Sequence, residues 1–288
     1  MVPAYAQYGS STPEAQPNNY PPALPVRRGP GPLLAFERVG EIALPGPLVG
    51  GTTWIADGLV VIPVERGVAR VRPEAEADAA LEPAAALPSP AAWLESPNGK
   101  RRYRTTPEGR VEAEQRRRPG KPWRLSWRLV APNSIVAPPV LLGPRLCYAG
   151  LDDCVTCVRS SNGHRLWSVD LGDRVSRALT CWPSCENGPD NGTVLLAVPD
   201  DGASVIALDA YDGRRVARFD LPANQRFATP ALVVAGGRIA IARKGYDDRE
   251  AALVLLQLAP PPPAAPAAPA ESMPYNKKPP VQTGTSGR

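Results

Sequence analysis

Five cysteines, one histidine and a dense run of arginines are the residues of this 288-residue chain with the most chemical potential. The cysteines are Cys147, Cys154, Cys157, Cys181 and Cys185, and the spacings Cys154-x2-Cys157 and Cys181-x3-Cys185 loosely resemble a four-thiolate zinc site. On strands, however, residues three apart point to opposite faces, so Cys154 and Cys157 diverge. Cys157 falls about opposite Cys147 on the neighbouring strand, and Cys181 and Cys185 flank a Trp-Pro-Ser turn. The expected state is therefore buried thiols or one to two disulfides, with Cys181–Cys185 the easiest loop staple. An odd count leaves at least one free thiol, and disulfides would suit an oxidising envelope compartment. A single histidine, His164, argues against histidine metal ligation and against a Ser-His-Asp relay.

The arginine run extends from Lys100 to Arg128 (KRRYRTTPEGRVEAEQRRRPGKPWRLSWR), with 11 basic and 3 acidic residues. That is a local charge of +8, which leaves the rest of residues 33–259 at −6, so the basic character of the chain is a local property. Such a surface can meet an acidic protein, an anionic membrane or nucleic acid. Tyr103, Trp123 and Trp127 are interleaved in it and would permit base stacking, but no nucleic-acid motif is present. The functional reading is a partner-docking surface made of Arg101, Arg102, Arg116, Arg117, Arg118, Lys121 and Arg124; the plain alternative is a set of solvated strand faces. Paired carboxylates occur at Asp152-Asp153, Asp200-Asp201 and Asp247-Asp248, each at the same kind of turn, which favours turn chemistry over acid–base work. No phosphate-cradling glycine loop exists, since Gly50-Gly51 and Gly236-Gly237 serve turns. No catalytic residue, cofactor or metal is expected.

The elements that position these residues are legible from proline and from repeats. Of 37 prolines, 8 fall in residues 1–32 and 9 in residues 260–288. Both stretches lack hydrophobic periodicity, which predicts disordered Pro-rich flanks around a domain at 33–259. Proline at this level excludes a mostly helical fold, and no apolar run approaches the roughly 20 residues of a membrane helix. The opening Met-Val-Pro-Ala-Tyr-Ala-Gln has no basic or apolar region of an export signal.

Within the domain, residues 146–168 (LCYAGLDDCVTCVRSSNGHRLWS) and 194–219 (VLLAVPDDGASVIALDAYDGRRVARF) are two copies of one unit. Each is a strand, an Asp-Asp turn, a strand, an Asn-Gly or Asp-Gly turn, and a third strand. Extending the pattern gives repeats starting near 49, 88, 134, 175 and 228, spaced by 39, 46, 41 and 53 residues. About 40–45 residues is the length of a four-stranded propeller blade. The last repeat ends at Leu258 without an outer strand, and the segment Leu34–Leu44 has no assigned partner. The expected fold is an all-β propeller of about five four-stranded blades, the N-terminal strand closing the last and removing both open edges.

The strings SIVAPPVLLGPRLCYAGLDD, IALDAYDGRRV and NGHRLWSVDLGDRVS resemble the repeat of pyrroloquinoline-quinone-type propellers, specifically over residues 123–258 and more weakly over 34–122. The resemblance implies that Ala207 and Leu208 face the core, that Asp209 caps a turn, and that Trp167 packs between blades, with Trp127 and Trp123 as its counterparts one blade earlier. The family's enzymatic branch places a vicinal Cys-Cys pair against the quinone in a larger ring, and no such pair is present here. The resemblance therefore implies the non-enzymatic branch, which includes the outer-membrane assembly lipoprotein. The expected function is a non-catalytic scaffold for protein partners in a bacterial cell envelope or periplasm, with the cytoplasm as the open alternative, and without a lipobox cysteine, since the first Cys is at 147. The competing expectation is a small quinoprotein-like or sugar-processing enzyme working in the central channel.

Overall fold

A computed structural model describes residues 34–49, 53–56, 59–73, 79–82, 93–182, 193–245 and 250–260. The Pro-rich flanks expected at 1–32 and 260–288 lie outside it, apart from Pro260. Every regular element among the described residues is a strand, save one 3-10 turn at Ala235–Gly237.

Four sheets are simple four-stranded antiparallel meanders. Blade 1 comprises Trp54–Ala56, Leu59–Val64, Gly67–Val71 and Ala79–Glu82. Blade 2 comprises Leu94–Glu95, Arg101–Thr105, Arg110–Gln115 and Arg124–Val130. Blade 3 runs through Val140–Leu142, Arg145–Ala149, Cys154–Arg159 and Arg165–Asp170, and blade 4 through Thr180–Trp182, Val194–Ala197, Ser204–Asp209 and Arg215–Asp220. Blade 5 is closed from the other end of the chain. Its strands Ile239–Gly245 and Ala251–Ala259 are followed outward by Ala35–Ala43, which runs antiparallel to the latter from the pair Ala35 and Ala259 to the pair Ala43 and Ala252. These five blades and the closing strand are the propeller that the repeat period predicts.

The innermost strands are shorter than the sequence suggests, and proline is the reason in two blades. Pro138-Pro139 remove two ladder donors, so the segment expected from Ser134 begins pairing only at Val140. In blade 5 the segment expected at 228–234 pairs only at Leu232–Val233, beyond Pro230, and a separate short strand, Gln225–Phe227, pairs with Ile239–Gly245 ahead of it.

Middle strands have neighbours on both faces, so their side chains are apolar in continuous runs instead of alternating. Leu59–Val64, Ser204–Asp209 and Ile239–Gly245 are buried at nearly every position. Four apolar clusters join consecutive blades: blade 2 with 3, 3 with 4, 4 with 5, and 5 with 1. Among the described residues no such cluster joins blade 1 with blade 2.

Two devices recur. In blades 2, 3 and 4 the outer strand carries one extra residue at the same place (Ser126, Leu166 and Val216), a bulge opposite Ala113, Cys157 and Ala207 that bends and twists the edge. In blades 2 and 3 the inter-blade tryptophan stands next to it, where blade 4 has Ala217. Trp127 donates through Nε1 to the Ser160 carbonyl (3.1 Å) and packs on Gly163; Trp167 donates to the Ala210 carbonyl (3.4 Å) and packs on Gly213. Gly163 and Gly213 adopt φ of +73° and +79° in the Asn-Gly and Asp-Gly turns, the left-handed geometry expected there. Ala207 and Leu208 are fully buried, and the Asp209 carboxylate accepts from the Tyr211 backbone N–H at 2.7 Å.

Candidate partner interface on blade 2

Blade 2 departs from its siblings because its sequence alternates. Tyr103, Val111, Ala113, Trp127 and Leu129 point towards blade 3 and pack with Ile135, Leu146 and Tyr148. The intervening residues, Arg102, Arg104, Glu112, Glu114 and Arg128, occupy the opposite face. Strand register brings opposite charges together there: Arg102 faces Glu114, and Glu112 lies between Arg104 and Arg128.

The resulting ion pairs are well formed. Arg102 Nε donates to Glu114 at 2.7 Å. Arg104 donates to one oxygen of Glu112 at 2.6 and 2.8 Å, and Arg128 Nε lies 2.7 Å from the other. The Glu112 side chain is 5% exposed, whereas those of Arg104 and Arg128 are 41% and 47% exposed. Burial raises the Glu112 pKa, but hydrogen bonds and charge from Arg104 and Arg128 outweigh it and hold the carboxyl below its ordinary value.

Indole rings interleave with the guanidinium groups. Arg104 lies 4.5 Å from the Trp93 ring, Arg102 lies 4.3 Å from Trp93 and 4.6 Å from Trp123, and Arg116 lies 4.3 Å from Trp123. Arg116 is further held by the Gly99 carbonyl (2.7 Å) and by Glu95 (3.7 Å). Each cation–π contact contributes about 0.5–1 kcal/mol at a partly exposed site, so the stack fixes the base of the hairpin that follows Gln115.

The seven basic residues singled out in the sequence therefore divide. Arg102 and Arg116 belong to the stack, and Arg101 is half-buried with Nη1 3.5 Å from the Ser160 carbonyl of blade 3. Arg117, Arg118, Lys121 and Arg124 are exposed around the turn RRRPGKPWR, which contains no acidic residue. This turn can hold anionic groups, because its cations are displayed on an anchored hairpin without counter-ions of their own among the described residues.

Aromatic rings proposed for stacking are in use. Tyr103 is buried against Trp127, with ring centroids 6.4 Å apart, and Trp123 is in contact with two guanidinium groups, those of Arg102 and Arg116. Trp123 is thus not a second inter-blade tryptophan. Trp93 lies outside the basic run; the cross-strand register, with Leu94 opposite Tyr103 and Glu95 opposite Arg102, brings its ring within reach of Arg102 and Arg104.

The cysteines pair across a strand. Cys147 and Cys157 are directly opposite in blade 3 and form a disulfide, both fully buried. Cys181 is disulfide-bonded as well, while Cys185 lies outside the described residues. These bonds remove Cys157 and Cys181 from the four-thiolate set considered above. Cys154 is free, and burial, with Asp152 and Asp170 nearby, pushes its thiol pKa up, which lowers its nucleophilicity at neutral pH.

Two of the paired carboxylates are turn residues, and Asp247-Asp248 lie outside the described residues. The Asp200 carboxylate accepts from the Ser176 N–H (2.9 Å) and hydroxyl (2.6 Å), and Asp201 accepts from the Ala203 N–H at 2.9 Å. Asp153 takes φ of +63° in its turn. Among the described residues no helix is long and apolar enough to cross a membrane.

No family model and no curated protein matches the chain. Solved structures similar to it include Sqt1 of Chaetomium thermophilum bound to the N-terminus of ribosomal protein L10, at 15% identity over 57% of this chain and 42% of that one, with a TM-score of 0.46. BamB from Moraxella catarrhalis is similar at 14% identity over 75% of this chain and 63% of its own, with a TM-score of 0.42. Glutaminyl cyclase from Myxococcus xanthus is similar at 16% identity, with 79% and 98% covered and a TM-score of 0.40. The chain spans less than two thirds of the length of Sqt1 and of BamB. The likeness is one of fold alone.

Proposed function

We propose that the chain is a non-catalytic scaffold, a propeller of the pyrroloquinoline-quinone-type repeat family that holds a protein partner in a bacterial cell envelope. The reading rests on the hairpin 115–124, where Arg117, Arg118, Lys121 and Arg124 stand exposed on a base fixed by Trp123 in contact with Arg102 and Arg116. A rigid, uncompensated basic hairpin steers acidic partners and loses little entropy on binding. Disulfides in blades 3 and 4 agree with an oxidising compartment.

The test is affinity purification from the native cell with the wild-type chain and with Arg117→Glu/Arg118→Glu. The expected result is a protein partner that accompanies the wild type and is lost with the variant, while the variant keeps its circular dichroism and urea midpoint. Unchanged recovery would overturn docking through this hairpin. An absorbance spectrum and metal analysis of the same preparation test the enzymatic alternative, since a stoichiometric quinone or calcium ion contradicts a scaffold.

A further inference from the structure

The outer strand of blade 2 differs from the other four in its charge, and like them it has an open edge. Arg124–Val130 hydrogen-bonds only to Arg110–Gln115, which leaves the backbone groups of its second edge unpaired among the described residues. An open edge is a template for another strand unless charge, cover or a bulge blocks it; here the bulge at Ser126 sits near the start of the strand and leaves Trp127–Val130 in regular register. The outer strands of blades 1, 3, 4 and 5 all include a carboxylate residue: Glu82, Asp170, Asp220, and Glu37 with Glu41. The strand RLSWRLV has none. Over residues 115–130 there are six basic residues and no acidic one.

The same strand exposes apolar side chains. Leu125 is 52% and Val130 is 72% exposed. Arg128 keeps part of its guanidinium in solvent beyond Glu112. Backbone edge, apolar positions and cations thus occur on one strand, continuous with the hairpin 115–124.

We infer that blade 2 takes an acidic, extended segment of a partner as a fifth strand along Arg124–Val130. Its backbone continues the sheet, its carboxylates meet Arg117, Arg118, Lys121 and Arg124, and its apolar residues on the alternate face cover Leu125 and Val130. Main-chain pairing supplies affinity in such additions and the alternate side chains supply specificity. The chain's own flanks do not fit, since each has a single glutamate and a net positive charge. This inference names the ligand of the docking surface proposed above and rests on that proposal.

The experiment uses the full chain and a fluorescein-labelled nonapeptide of alternating Glu and Val, with binding followed by fluorescence anisotropy. Three further probes are the Lys/Val peptide, the Glu/Val peptide methylated at every backbone nitrogen, and vesicles with about a third anionic lipid. The acidic peptide is expected to bind, about tenfold more weakly to Arg117→Glu/Arg118→Glu. Backbone methylation is expected to weaken it at least tenfold, and the Lys/Val peptide to remain unbound. Equal binding of the methylated peptide overturns edge pairing and leaves charge-directed docking standing. Absence of peptide binding, with partner recovery still lost in Arg117→Glu/Arg118→Glu, overturns this inference and leaves the scaffold standing. Preference for vesicles over peptide assigns the edge to a membrane surface and overturns it too.

Discussion

Gly213, at the hairpin turn of blade 4, lies directly beneath the indole of Trp167 on the outer strand of blade 3: a Cβ placed there would come within 2.6 Å of Trp167 Cε3. Gly163 stands in the same relation to Trp127 one blade earlier, at 2.8 Å. Blade-to-blade spacing is thus set where a tryptophan meets a residue that has no side chain. The indole N–H then reaches a carbonyl at the edge of the same turn, so the apolar ring is buried without stranding its donor.

Gly213→Ala is expected to cost about 2–4 kcal/mol, combining a left-handed residue with a Cβ and overpacking against the indole. Gly172 has the same left-handed φ, +81°, but nothing within 4 Å of the added Cβ. Gly172→Ala therefore costs only about 1 kcal/mol. Urea unfolding of both variants checks this, and equal losses would mean that Trp167 does not set the spacing.

Glu41 on the closing strand and Arg243 of blade 5 form a largely buried ion pair, with Arg243 Nε 2.9 Å from Glu41 Oε1 and Arg38 beside the other oxygen. Replacing one member of a buried pair strands the other charge, at about 3 kcal/mol. Glu41→Gln should destabilise by that order and speed amide exchange across 35–43, whereas the exposed Glu37→Gln should leave both unchanged. Slow exchange retained in Glu41→Gln would show that the ladder alone holds the closing strand.

Glu112 gives blade 2 a signature in acid. Its folded-state pKa lies below the unfolded value of 4.5, so its contribution is complete above about pH 4.5 and is lost as pH falls through the folded value. In Glu112→Gln the slope of unfolding free energy against pH should flatten below about pH 4.5. A slope identical to wild type would mean that Arg104 and Arg128 do not stabilise the charged carboxylate.

Tyr148 gives the core one in alkali. Burial is the main cause of a pKa pushed up to about 12 from 10.0; the hydrogen bond with Thr156 opposes it and Asp152 adds to it. The folded value lies above the unfolded one, so stability is intact below about pH 10 and declines as pH rises towards 12. Absorbance titration at the tyrosinate band should show one ring missing in Tyr148→Phe only near pH 12. The variant should also lose less stability between pH 10 and 12.

Much of the scaffold is legible in one dimension because it depends on local chemistry repeated at a fixed interval. Asp-Gly and Asn-Gly turns, an apolar run between them and a tryptophan after them mark blades 3 and 4. Leu34–Leu44 reads as the missing outer strand because the last repeat stops at Leu258. Strand length is less legible where Pro138-Pro139 and Pro230 remove ladder donors from otherwise apolar segments.

The sequence by itself determined the repeat, the closing strand, the turn carboxylates and the location of the basic surface, all of which follow from local propensity and period. Tertiary structure alone decided which of its arginines are available. Arg102 and Arg116 differ from Arg117 and Arg118 only in where register and a returning strand bring Glu114, Trp93 and Trp123. The same holds for Cys147 and Cys157, ten residues apart and joined because antiparallel pairing sets them opposite. Charge is a property of composition, but an uncompensated charge is a property of neighbours, and neighbours across strands are set by the folded register.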